Sequence, residues 1–128
     1  MMRVLVADDQ AWLRSAMRLL LEQDPELEIV GEAVEAKTLV VKATQLCPHL
    51  VLLDWELPGL KGTGAGRQLL SELHLSCPHL RVIVLSGRPE AGQRARDAGA
   101  DYFVSKADPP EVLLAALRAA KQLLQNQG

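Results

Sequence analysis

The stretch that decides the fold is "LVLLD", Leu50 to Asp54. Four apolar residues in a row leave no polar side to face water. A strand covered on one face only would alternate apolar and polar residues. A continuous run of this length fits a strand buried on both faces, as parallel sheets require. "VIVL", Val82 to Leu85, repeats the pattern. Cys47-Pro48 and Cys77-Pro78 punctuate the chain just before each run.

Working outward, three further apolar runs appear: Val4 to Ala7, Leu27 to Ala33 after Asp24-Pro25, and Tyr102 to Val104 after Gly99. Amphipathic patterns lie between them. Leu13, Met17, Leu20 and Leu21 recur at helical spacing, as do Leu39, Val40, Ala43 and Leu46. Leu69, Leu70 and Leu73 follow, then Val112, Leu113, Ala116, Leu117, Ala120 and Leu124. Pro109-Pro110 after Asp108 marks the start of the last helix. The segment from Ala91 to Ala98 is a weaker helix, because Arg94, Arg96 and Asp97 leave little apolar face. Five strand–helix units imply a parallel sheet with right-handed crossovers and helices on both faces. The polar tail, Gln122 to Gly128, is expected to fray.

The chain's 128 residues suit one domain, and a 48% hydrophobic fraction supplies its core. Aromatics are only 3%, so Leu, Val and Ala must fill that core. A net charge of −2 gives no electrostatic footprint for direct nucleic-acid binding. No apolar run approaches the roughly 20 residues of a membrane span. Met1 to Ala7 is too short for a signal peptide. Two cysteines do not make a disulfide framework. A cytoplasmic protein is the expectation.

In open α/β sheets, ligands bind beyond the carboxyl ends of the strands. The first run ends at Asp8 and Asp9, the third at Asp54, the fourth at Ser86, and the fifth at Ser105 and Lys106. Each has a plain reading. Adjacent acids after a strand also cap helices, a lone acid also serves a turn, and a lysine there also snorkels to water. Their joint occurrence at one sheet edge points further. Three acids with one lysine leave surplus negative charge, which suits a hard divalent cation with oxygen ligands, Mg²⁺ or Mn²⁺.

"VLVADDQ", "PHLVLLDWELPGLKG", "VIVLSG" and "AGADYFVSK" occur in this order. With these motifs the chain resembles the receiver domain of two-component response regulators, over essentially all of residues 3–124. "LLLEQDPELEIVGEA" resembles the NarL/FixJ (LuxR-type) subfamily. The resemblance implies a flavodoxin-like (CheY-like), doubly wound, five-stranded parallel sheet of order 2-1-3-4-5 with five helices. It makes residues 1–124 the receiver and 125–128 a tail or the start of a linker. The subfamily continues into a helix-turn-helix domain, so a DNA-binding output outside this chain is expected.

The resemblance also implies site roles. Asp54 is the expected phosphoacceptor, taking a phosphoryl group from a sensor histidine kinase. Asp9, Asp54 and the backbone carbonyl of Glu56 are expected to hold Mg²⁺, with Asp8 acting mainly through water. Lys106 and Ser86 are expected to contact the phosphoryl oxygens, and Phe103, not Tyr102, to swing in behind Ser86. Glu56 and Arg88 occupy the positions that tune dephosphorylation, and a Glu56–Arg88 pair across the site is expected. Phosphate adds about two negative charges, and a nearly complete switch needs roughly 5 kcal/mol of differential binding. The switched face is expected to combine the helix near Ala91 with the last strand and last helix, with a homodimer as one outcome. No enzyme is expected beyond self-phosphorylation from small donors and autodephosphorylation.

Several features depart from the family pattern. Ala107 follows Lys106 where the family often has a cis proline; a cis bond to alanine costs about 3 kcal/mol, so trans is expected. Lys61 replaces a frequent Asp, and Gly87 follows Ser86 where Ala is usual. Bulky Trp55 follows Asp54 and is expected to pack under a neighbouring helix. "CPHL" occurs twice, so Cys47, His49, Cys77 and His79 are a conceivable zinc set, but Cys-x-His is an uncommon zinc spacing. Competing readings are an aspartate-nucleophile phosphatase, with Glu56 as second acid, and a receiver-like scaffold that never takes phosphate. A flavodoxin-like cofactor domain is disfavoured, because two acids after the first strand repel phosphate.

Overall fold

The computed structural model describes residues 1–127. Five strands, β1 (Met2–Ala7), β2 (Leu27–Ala33), β3 (Leu50–Asp54), β4 (Arg81–Ser86) and β5 (Tyr102–Ser105), form one parallel sheet. Its order is β2-β1-β3-β4-β5, so the chain reverses direction across the sheet after β2. The helices are α1 (Ala11–Leu21), α2 (Ala36–Leu46), α3 (Ala65–Ser76), α4 (Gly92–Asp97) and α5 (Pro110–Gln127). This is the doubly wound, flavodoxin-like fold expected from the sequence.

Strand residues alternate between two cores, one on each face. Leu5, Ala7, Val51, Leu53, Val82 and Val84 pack with α2, α3 and Ala95 of α4. Val4, Val6, Leu50, Leu52, Ile83 and Leu85 pack with α1 and α5. All five residues of β3 are buried. That double burial explains why "LVLLD" carries no polar alternation. The register slips between Val4 and Leu5, where β2 carries Val30 as an extra residue.

The weak segment before β5 is a single 3-10 turn, Pro89–Ala91, running into the six-residue α4. The tail differs from expectation. Gln122 to Gln127 are helical, continuing α5, and Gly128 lies outside the described residues. Lys121 Nζ sits 2.8 Å from Asp24, and the Gln125 amide 3.2 Å from Glu26. These long-range pairs link the end of α5 to the turn before β2.

A second correction lies at the edge where the strands enter the sheet. Cys47 and Cys77 are joined in a disulfide. Each follows the end of a helix, α2 or α3, whose next strands β3 and β4 are neighbours. That adjacency brings the two Cα atoms to 5.7 Å, within ordinary disulfide reach. The bond removes both thiolates, and the zinc set with them. His49 Nδ1 instead accepts the Arg3 backbone N–H at 2.9 Å.

Candidate functional site

β1, β3, β4 and β5 end together, and the parallel register brings Asp8, Asp54, Ser86 and Lys106 to one edge. Asp8 and Asp54 are almost fully buried, at 1% and 2% exposure, whereas Asp9 is exposed. One carboxylate oxygen from each of Asp8, Asp9 and Asp54 lies within 4.8 Å of the other two. Lys106 Nζ lies 3.2 Å from Asp54 Oδ1 and 3.5 Å from Asp8 Oδ2. The backbone fixes Lys106 there: its N–H donates to the Ser86 carbonyl at 2.8 Å. The bond to Ala107 is trans, as expected, and Lys106 still reaches both acids.

The plain reading of Asp8 and Asp9 as helix caps fails. Gln10 is the residue flanking α1, and no side chain caps that end. Asp8 Oδ1 accepts the Gln10 N–H at 2.8 Å, and Arg14 donates to the Asp8 carbonyl at 2.7 Å. Those contacts orient Asp8 while leaving its second oxygen, Oδ2, buried without a hydrogen bond. A buried carboxylate oxygen facing two further acids is costly unless a cation is near. All donors in the cluster are hard oxygens. Lys106 supplies one cation for two of the three acids, so the residues fit a small divalent ion beside it.

The charges follow the same balance. Burial pushes the Asp54 carboxyl above its ordinary range; the Glu56 N–H opposes that, Asp8 adds to it, and Lys106 again opposes it. For Lys106, burial favours the neutral amine, but Asp54 and Asp8 outweigh it and the ammonium is stabilised. The cluster thus holds one firm cation against crowded acids.

The remaining candidates sit around this centre. Phe103 is half-buried on the α4 side of the sheet, with the Arg96 guanidinium 5.9 Å from its ring centroid. Tyr102 packs on the opposite face, so the two aromatics are divided as the sequence order required. The Trp55 indole lies against the first turn of α3, as expected for a packing residue. A Cβ on Gly66 would come within 2.3 Å of it.

The Glu56–Arg88 pair does not form. The Glu56 carboxylate instead accepts the Ser86 hydroxyl, at 2.9 and 3.1 Å, and the Gly87 N–H at 2.9 Å. Arg88 contributes its backbone N–H to Ser86 Oγ at 3.0 Å, and its residue borders an open cleft of about 790 Å³ beside Trp55, Arg67 and Arg94. Geometry favours the closer donors: Ser86 and Gly87 sit directly across from Glu56, one strand away. Sequence reasoning missed this arrangement, and also the Arg14 contact, because neither leaves a pattern along the chain.

The family described as "Response regulator receiver domain" matches residues 4–118. The chain is a response regulator receiver domain. Among curated proteins, the receiver is 38% identical over 109 residues to protein-glutamate methylesterase/protein-glutamine glutaminase 1 of Geobacter sulfurreducens, a match covering 82% of this chain and 29% of that protein. It is 34% identical to protein-glutamate methylesterase/protein-glutamine glutaminase 2 of Carboxydothermus hydrogenoformans, covering 96% of this chain and 34% of that protein. The receiver thus spans about a third of these relatives' length. Among solved structures, a two-component response regulator of the LuxR family from Aurantimonas sp. superimposes with a TM-score of 0.80 at 27% identity, over 92% of this chain and 83% of that one. The RcsB response regulator of Salmonella typhimurium gives 0.82 at 28%, over 95% and 60%. No described helix is long and apolar enough to cross a membrane.

Proposed function

We propose that this receiver is a Mg²⁺-dependent phosphoacceptor switch whose acceptor is Asp54. The carrying observation is Lys106 seated between Asp54 and Asp8, with Asp8 Oδ2 lacking any hydrogen bond. A carboxylate oxygen of Asp54 attacks the phosphorus of a phosphohistidine on a sensor kinase. The P–N bond breaks, the electron pair returns to the imidazole, and Asp54 carries an acyl phosphate. Such transfer depends on in-line placement and charge neutralisation rather than on elaborate covalent chemistry.

Asp9, Asp54 and the Glu56 carbonyl would hold the ion directly and Asp8 through water. When bound, it offsets the repulsion between the acceptor and an anionic donor. Lys106 is already charged and aimed, and binds a phosphoryl oxygen as a point charge. Ser86 donates to a second oxygen, and Phe103 follows it inward. Through Ser86 and Phe103 the change reaches α4, β5 and α5, the face offered to a partner or to a second copy. The receiver itself is a switch and not an enzyme, apart from accepting phosphate from small donors and losing it again.

The output is best read as a DNA-binding domain outside this chain, in a cytoplasmic regulator. The likeness to the LuxR-family regulator supports this, as does RcsB, which has been solved bound to promoter DNA with the phosphomimetic BeF₃⁻. The sequence relatives favour a second reading, a methylesterase output. The test is incubation with an acyl-phosphate donor and Mg²⁺, followed by intact mass. A gain of one phosphoryl group, lost in Asp54→Asn, is the expected result. A gain that persists in Asp54→Asn, or no gain with any donor, overturns the assignment.

A further inference from the structure

A serine hydroxyl has one proton to donate. In this receiver the Ser86 proton is already committed: both Glu56 carboxylate oxygens lie within hydrogen-bond distance of Ser86 Oγ. Glu56 Oε1 also takes the Gly87 N–H, and Ser86 Oγ takes the Arg88 N–H. Ser86 is fully buried, so water offers it no alternative partner. The same Glu56 residue reaches back to the acceptor through its own backbone, whose N–H donates to Asp54 Oδ1 at 2.9 Å. Glu56 thus bonds Asp54 with its backbone and Ser86 with its side chain, linking the two.

We propose that Glu56 is a positioning residue that latches Ser86 away from Asp54 until a phosphoryl group competes for it. The inference rests on Asp54 being the acceptor. A hydrogen bond to a carboxylate is among the stronger ones, so the latched state dominates in the unmodified receiver. A ligand that needs the Ser86 hydroxyl then binds more weakly, in proportion to the small unlatched fraction. A phosphoryl group on Asp54 brings anionic oxygens that take the Ser86 proton. Gly87 gives the released loop freedom to move, having no side chain to drag past Glu56.

Two readouts separate the latch from other effects. The first is beryllofluoride affinity in the presence of Mg²⁺, for wild type, Glu56→Ala, Ser86→Ala and the double variant. Glu56→Ala is expected to bind beryllofluoride about tenfold more tightly, the worth of one charge-assisted hydrogen bond. In the Ser86→Ala background the same substitution is expected to give little gain. An equal gain in both backgrounds means that Glu56 acts by its charge alone, and overturns the latch. The second readout needs no ligand: the Gly87 amide proton resonance, whose N–H donates to Glu56 Oε1. It is expected to move upfield in Glu56→Ala and to stay near its wild-type position in Glu56→Gln, whose carbonyl still accepts. A resonance that ignores Glu56→Ala shows the bond absent in solution and overturns the proposal. Failure of every variant to bind beryllofluoride, with the Gly87 resonance moving as expected, overturns the role of Asp54 and with it the latch's purpose, while leaving the bond itself in place.

Discussion

The two ends of the sheet are built on opposite principles. Where the strands enter, Cys47 and Cys77 are covalently joined and His49 accepts a backbone N–H, leaving that edge closed. Where the strands leave, Asp8, Asp9 and Asp54 crowd together, one ammonium serves two carboxylates, and the buried Asp8 Oδ2 has that shared ammonium at 3.5 Å but no hydrogen bond. One end adds to stability. The other holds electrostatic strain that only a ligand relieves. The difference shows where function resides in a fold whose two faces each carry a buried apolar core.

Breaking the closed end has the largest expected effect. The disulfide closes a loop of 30 residues, and constraining such a loop in the unfolded chain contributes about 3–4 kcal/mol. Cys47→Ser is expected to lower unfolding free energy by that amount in denaturant titrations, with Mg²⁺ affinity unchanged. A fall in Mg²⁺ affinity of the folded variant would show that the two ends are not independent.

Relieving the open end works in the other direction. Burial and the adjacent Asp8 charge raise the Asp54 carboxyl above its unfolded value, despite the opposing Glu56 N–H and Lys106. The folded state thus binds the Asp54 proton more tightly than the unfolded chain does. Stability from this group is present below the ordinary carboxylate range and lost as pH rises through the folded value. At neutral pH without divalent ions, Asp54→Asn is expected to stabilise the receiver. The gain is expected to shrink when Mg²⁺ is added to both proteins. A destabilised Asp54→Asn variant would mean that the Lys106 contact outweighs the crowding.

The smallest expected effect again concerns the closed end, with the opposite pH sign. Burial first, then the Arg3 charge, lower the His49 imidazole below its ordinary value. The unfolded chain takes up that proton more readily, so stability is lost as pH falls through the ordinary histidine range. His49→Asn, which keeps an acceptor near the Arg3 N–H, is expected to flatten thermal stability between about pH 7 and 5. An unchanged slope assigns the acid sensitivity elsewhere.

Much of this contrast was legible in the sequence because it follows from order along strands. The unbroken apolar runs at Leu50 and Val82 mark strands buried on both faces, and the residue after each run falls at the same edge. Asp8, Asp54, Ser86 and Lys106 could thus be gathered without coordinates. What escaped depends on lateral neighbours. Cys47 and Cys77 meet only because β3 and β4 are adjacent, which spacing alone does not reveal. Glu56 chooses Ser86 over Arg88 by a difference of ångströms across two strands. The polar tail continues α5, which favourable Leu and Gln propensity and Leu124 packing could have suggested, whereas the Gln125–Glu26 contact, about a hundred residues apart, could not be read locally.

The central claim is that the crowded acids at the open end are arranged for a divalent cation. Calorimetric titration of Mg²⁺ into the unphosphorylated receiver tests it directly. Saturable binding at one site, abolished in Asp9→Asn and weakened in Asp8→Asn, is the predicted result. Heats no larger than those of dilution, or binding indifferent to both substitutions, would contradict it.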